Sequence, residues 1–206
     1  ELDNNYIDIG VTDLKFQGEI NWRPIAGLEI IGIASYRYSK SSQNHYVKDN
    51  SNQAMAYRAG VDPEDATIRY SNPYLYTDPD EPNALPETVL PKGGIMYHKL
   101  FSMSQFDVRA TAQYNKTFNN THILNVMGGF TVSDIERHGE NYQGWGICYD
   151  NGNIPFIDWH LFKQQSEENT NYFSDTWTYR RDAAFFGTAS YSYLGKYIIN
   201  GTIRYD

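Results

Sequence analysis

Cysteine is almost missing: Cys148 stands alone among 206 residues. That excludes a disulfide framework within the chain. No histidine adjoins it to argue for an activated thiol. Long apolar runs are missing too, and nothing approaches the roughly 18 consecutive apolar residues of a membrane-crossing helix. No secretory signal opens the chain, which begins at Glu1 in polar sequence. A mature protein or an internal piece of a longer one is expected from that. Positive charge is scarce, with 17 Lys and Arg against 25 Asp and Glu and a net charge of −8. Nucleic-acid affinity rests on clustered Lys and Arg, so no nucleic acid is expected as a partner. Catalytic signatures such as G-x-S-x-G, H-E-x-x-H or a phosphate-binding GxxxxGK loop are absent as well. The histidines, His45, His98, His122, His138 and His160, lack ligand spacing. No enzyme, cofactor or metal centre is therefore expected.

Aromatic residues are abundant instead. They make up 16% of the chain, with 18 Tyr and 4 Trp, yet the mean hydropathy is −0.62. Aromatic-rich strands joined by long polar loops would give that combination. The final stretch, AFFGTASYSYLGKYIINGTIRYD, has this character. Phe185, Gly187, Ala189, Tyr191 and Tyr193 alternate with Thr188, Ser190 and Ser192. A tight Leu194-Gly195-Lys196 connection follows. Tyr197, Ile199, Gly201, Ile203 and Tyr205 then alternate with Asn200, Thr202, Arg204 and Asp206. Successive strand side chains point to opposite faces, so this is a hairpin with one apolar and one polar face.

The same unit recurs twice before it. Leu14, Phe16, Gly18, Ile20 and Trp22 oppose Lys15, Gln17, Glu19, Asn21 and Arg23. After a turn at Pro24 to Gly27, Leu28, Ile30, Gly32, Ala34, Tyr36 and Tyr38 oppose a less clean face containing Glu29, Ser35 and Arg37. Phe106, Val108, Ala110, Ala112, Tyr114 and Phe118 oppose Asp107, Arg109, Thr111, Gln113, Asn115 and Thr117. After an Asn119-Asn120 turn, Leu124, Val126, Gly128, Phe130 and Val132 follow. The alternation places six strands at about 13–23, 28–39, 105–118, 122–134, 183–193 and 197–206. Irregular segments at about 40–104 and 137–181 separate the hairpins, and 53–59 has the pattern of a helical turn or two. Residues 1–11 carry no pattern.

Connections thus run short, long, short, long, short. In antiparallel order, every short link falls at one end and every long link at the other. A sandwich has no reason to sort its loops this way, whereas outer-membrane barrels have short periplasmic turns and long extracellular loops. Each strand reaches the roughly nine to eleven residues needed to cross a bilayer. Barrel lumens are wet and barrel exteriors apolar, which suits the charged face and the greasy one. Trp22, Tyr36, Tyr38, Tyr114, Phe118, Tyr193, Tyr197 and Tyr205 lie near strand ends on the apolar face, where rings sit at headgroup level. Six strands cannot close around a lumen. The expected fold is all-β: an antiparallel transmembrane β-barrel segment, about six strands of a larger barrel, with 1–206 an internal slice of the barrel domain.

The last hairpin resembles the mid-barrel signature of SusC/RagA-type TonB-dependent outer-membrane transporters. The likeness runs through Phe186-Gly187, Tyr191, Tyr193, Lys196-Tyr197 and Arg204-Tyr205-Asp206. The stretch YNKTFNNTHILNVMGGF resembles another hairpin of that family through His122, Leu124 and Gly128-Gly129. The family's Gly-Ser-Ser after the Arg-x-Asp would lie past residue 206. The resemblance implies a 22-stranded barrel in the outer membrane of a Gram-negative bacterium, with a plug domain outside this stretch. It also implies a SusD-like lipoprotein partner, TonB contact through a segment outside the chain, and import of oligosaccharide or peptide. Two alternatives are a TonB-dependent siderophore or cobalamin receptor and a soluble carbohydrate-binding sandwich.

Candidate contact residues follow from chemistry. Tyr142, Trp145, Tyr149, Trp159 and Phe162 lie in the second long loop. Trp and Tyr faces stack on sugar rings and anchor interfaces, and the same residues serve equally to pack loop on loop. Glu19, Arg23, Arg37 and Arg109 face the expected lumen, where they would line an uptake path or pair with a plug. The cluster Asp78, Asp80 and Glu81 offers hard oxygens for calcium, but its spacing is no EF-hand, and a solvated Pro-rich loop explains it as well.

Overall fold

The computed structural model describes residues 2–206. Six long strands carry the fold: β1 (Asn5–Ile25), β2 (Leu28–Val47), β3 (Gly94–Phe118), β4 (His122–Cys148), β6 (Phe173–Tyr193) and β7 (Tyr197–Tyr205). A two-residue strand, β5 (Ile154–Pro155), pairs only with β4. Sheet order is β1-β2-β3-β4-β6-β7, so each long strand lies beside its sequence neighbours, and β1 and β7 are the two edges. The chain is an open antiparallel sheet, a segment of a β-barrel wall. All its strands share one sheet, which is not the two-layered sandwich entertained above.

Five strands begin or end well beyond the alternating pattern. β1 starts at Asn5, β2 runs on to Val47, β3 begins at Gly94, and β4 and β6 extend to Cys148 and from Phe173. The added residues include Ser41-Ser42-Gln43-Asn44, which are polar on both faces. Backbone ladders hold such stretches, and a side-chain period cannot betray them. The irregular segments shrink accordingly. The expected helical turn forms as α1 (Asn52–Ala56), and two further helices, α2 (Ala66–Arg69) and α3 (Trp159–Glu167), stood outside the sequence pattern.

Two compact units divide the chain. The first holds 1–11, 41–101 and 138–176 and contains the buried core. Val47, Ala54, Tyr76, Val89, Leu90, Ile95, Trp145 and Leu161 pack together there, with Tyr57 and Tyr97 against them. Both longer helices are capped by sequence-local chemistry. The buried Ser51 hydroxyl accepts from Ala54 N at 3.1 Å, and Asp158 accepts from His160 N at 2.9 Å.

The second unit holds 12–40, 102–137 and 177–206 and is sheet throughout. Its register alternates small or apolar pairs with mostly polar ones. Gly187↔Ile203, Ala189↔Gly201 and Tyr191↔Ile199 alternate with Phe186↔Arg204, Thr188↔Thr202 and Ser190↔Asn200. Its turns use left-handed backbone: Gly27 (φ 89), Asn119 (φ 46), Asn120 (φ 52), Leu194 (φ 53) and Gly195 (φ 67). At Gly27 a Cβ would also lie 2.3 Å from the Asn115 carbonyl oxygen, so only glycine fits. Neighbouring turns are stitched together by Asn115 N–H to Gly27 O (2.8 Å) and Leu194 N–H to Thr121 O (2.7 Å).

Candidate functional site

The second unit presents two chemically opposite faces. On one, polar side chains pair across strands. Arg23 donates through Nε to Glu29 at 2.9 Å, joined by Asn21 at 2.8 Å. Arg37 forks onto Asp13, with Nε to Oδ1 at 3.1 Å and Nη2 to Oδ2 at 2.5 Å. Asp107 accepts from Ser133 (2.7 Å), Gln105 (2.9 Å) and Ser35 (3.4 Å). Arg109 stands 5.7 Å from the Phe186 ring centroid. Glu19 is exposed on the same face. Three of the four residues assigned to a wet lumen thus have specific neighbours on this face. The partner residues Asp13 and Asp107 carry the network equally and sit in the same alternating register.

The opposite face of this unit is greasy and uncovered. Leu14 is 49% exposed, Phe16 66%, Ile20 74% and Ile203 73%, and no second layer covers them. Trp22, Tyr36, Phe118, Tyr193, Tyr197 and Tyr205 are exposed beside them. His122 meets Tyr191 Oη at 2.6 Å and lies 5.0 Å from the Tyr193 ring. Arg181 and Asp134, paired at 3.1 Å, bring charge back to this face toward one strand end.

The first unit separates the aromatic candidates. Trp145 is 8% exposed and belongs to the core, with its ring edge-on to Tyr57 at 5.3 Å. A side chain so enclosed offers no face to a ligand; its apolar bulk is spent on packing. Tyr149 is half-buried and donates to Ile95 O at 3.1 Å. Burial pushes its phenol up to about 12. Tyr142, Trp159 and Phe162 are exposed. Trp159 stacks on His160 at 3.8 Å, and Phe162 meets Tyr172 edge-on at 5.4 Å. The structure therefore brings Trp159 and Phe162 together on α3 and leaves Trp145 inside.

The acidic loop is rearranged relative to the sequence reading. Asp78 and Asp80 are joined by Glu167 of α3, and Glu81 is not among them. The Lys163 ammonium binds Asp78, Asp80 (2.9 Å) and Glu167 (3.7 Å), filling the place a cation would take. Hydrogen bonding from Lys163 holds the Asp78 carboxyl below its ordinary range. The same partners raise Lys163. Tyr76 donates to Glu167 at 2.7 Å, and burial, helped by that carboxylate, pushes its phenol up to about 12. Sequence reasoning missed Lys163, which lies 85 residues from Asp78 and carries no local signal.

These features define a class: a stretch of antiparallel barrel wall, with an apolar face, a charged face and elaborated loops at one end of the strands. Solved structures of the RagAB peptide transporter match the chain over 98% of its length, with a TM-score of 0.63 and 13% identity. The RagAB peptide importer matches in its closed-closed state (TM-score 0.64, 12% identity) and its open-open state (TM-score 0.57, 13% identity). At this identity the likeness is one of fold. The chain spans 18% of the length of those chains. No family model and no curated protein matches it.

Proposed function

We propose that the chain is part of the barrel of a SusC-like, TonB-dependent importer in the outer membrane of a Gram-negative bacterium. The observation that carries this reading is the two-faced sheet of the second unit, whose uncovered apolar face has no protein layer to receive it. Hydrocarbon would receive it, and water would fill the space on the charged side. The cargo would be an oligosaccharide or a peptide, admitted by gating, with no bond made or broken. The fold-level likeness to a peptide importer supports the peptide arm. Residues 1–206 would form barrel wall and extracellular loops. The plug and the TonB-contacting segment would lie elsewhere in the protein, and a SusD-like lipoprotein would cap the loop end.

Tyr142, Trp159 and Phe162 would meet cargo or lid from exposed positions, with Tyr149 at their margin. Glu19, Arg23, Arg37 and Arg109 would line the wet path. The test is affinity purification of the full-length protein from outer membranes, with uptake of a labelled oligopeptide and a labelled oligosaccharide by the same cells. A co-purifying surface lipoprotein and proton-motive-force-dependent uptake of either cargo are expected. A protein that purifies alone and takes up only an iron chelate or a cobalamin would instead support the receptor alternative.

A further inference from the structure

One cleft in the first unit shares only Tyr149 with the contact residues proposed above. About 190 Å³ in volume, it opens between Asn4, residues 48–50, residues 92–93 and residues 148–151. Its walls are fixed by backbone contact. A Cβ on Gly94 would lie 1.9 Å from Val47 O, and one on Gly93 would lie 2.5 Å from the Gly146 carbonyl. Arg58 clamps two of the walls from behind. It donates to Leu90 O (2.9 Å), Asp49 O (3.2 Å) and Gly93 O, and pairs with the Asp49 carboxylate at 2.7 Å. On the remaining sides Lys48 N–H reaches Asn4 O at 2.7 Å, and Tyr149 is anchored on Ile95 O. Such a cleft is preformed and loses little conformational freedom on binding.

The lining carries two lysines and two aspartates, and Arg58 behind Asp49 leaves an excess of one positive charge. Asp49 is matched by Arg58. Lys48 stands 5.6 Å from the Tyr6 ring centroid and Lys92 is exposed; among the described residues neither pairs with a carboxylate. Asp150, exposed like Lys92, is the one remaining acid in the lining. The side-chain amides of Asn4, Asn50 and Asn151 add neutral donors. Two unmatched ammonium groups and several amides in a fixed polar hollow suit a carboxylate, whose oxygens take charge-assisted hydrogen bonds.

We propose that this cleft binds the carboxylate of a small ligand, with Lys48 and Lys92 as its charge partners. A peptide C-terminus and an acidic sugar both supply that group. The inference rests on the geometry of this unit alone, so its failure would leave the transport reading standing.

Cys148 lines the same cleft and is half-buried, so it reports occupancy. The experiment follows iodoacetamide modification of Cys148 by mass spectrometry in the purified full-length protein. The probes are triglycine, triglycinamide, methyl glucuronide and methyl glucoside at millimolar concentration. Triglycine, methyl glucuronide or both should slow modification at least threefold, while the amide and the glucoside leave it unchanged. Protection by triglycine alone assigns the peptide terminus, and protection by the glucuronide alone assigns the acidic sugar. In the Lys48→Gln, Lys92→Gln double variant the ratio of rates with and without probe should return to one. Protection by neither acid, equal protection by acid and neutral analogue, or protection that survives in the double variant would overturn the proposal.

Discussion

The ammonium of Lys163 lies between Asp78 and Asp80, and this pairing sets the pH response of the loop it holds. Asp78 is depressed, so its stabilising contribution is present above the ordinary carboxylate range and is lost as pH falls through its folded value. Lys163 is raised, so its contribution is complete below the ordinary lysine range and is lost only as pH climbs through its higher folded value. Resistance of residues 62–91 to limited proteolysis should therefore be flat through neutral pH and fall on acidification below about 4. Lys163→Gln should lower resistance at neutral pH and flatten the acid step. An unchanged acid step in that variant would show that other carboxylates govern the loop. Trp145 and Trp159 give a second contrast at this scale. Trp145→Ala should cost about 3–5 kcal/mol in denaturant unfolding, because it opens a hole beside Tyr57 in the core. Trp159→Ala, at a side chain 61% exposed, should cost less than about 1 kcal/mol.

Among the elements, β4 carries the sharpest prediction. Val126 is 39% exposed on the apolar face, and Met127, the next residue of β4, falls on the other by strand alternation. Val126→Arg should weaken folding into bilayers by ~2–4 kcal/mol if that residue lies near the midplane, and Met127→Arg by much less. Equal costs at the two positions would contradict a one-sided lipid face. At the β1–β2 turn, Gly27→Ala should destabilise by more than ~1 kcal/mol, since φ is positive and the Asn115 carbonyl blocks the methyl group. The turn ends of the strands were legible from sequence because Gly27, Asn119-Asn120 and Gly195 punctuate a strict alternation. The other ends were not. Ile7, Ile9 and Val11 fall on the face that carries Lys15 and Glu19 further along β1, so the apolar phase reverses and the pattern dissolves. The helix α3 escaped notice because the contacts that hold it in place, Lys163 to Asp78 and Leu161 to the core, are made across the sequence.

The first unit has its own buried core, whereas among the described residues of the second unit Leu14, Phe16, Ile20 and Ile203 stay exposed. The candidate contact residues were legible only as types. Burial then divided Trp145 from Trp159, which sequence spacing could not do. Orientation belongs to this scale. On intact cells, cysteines placed at Asn119 or Gly195 should resist a membrane-impermeant maleimide, and one at the exposed Leu85 should react. The central claim is the division of the sheet into a lipid face and a water face. Spin labels placed in turn at Val126, Met127, Gly128, Gly129, Phe130 and Thr131 of the bilayer-embedded full-length protein test it most directly. Collision rates should alternate along β4, with the even positions open to oxygen dissolved in lipid and the odd ones to a water-soluble nickel chelate. Uniform access of the chelate to both sets would contradict it.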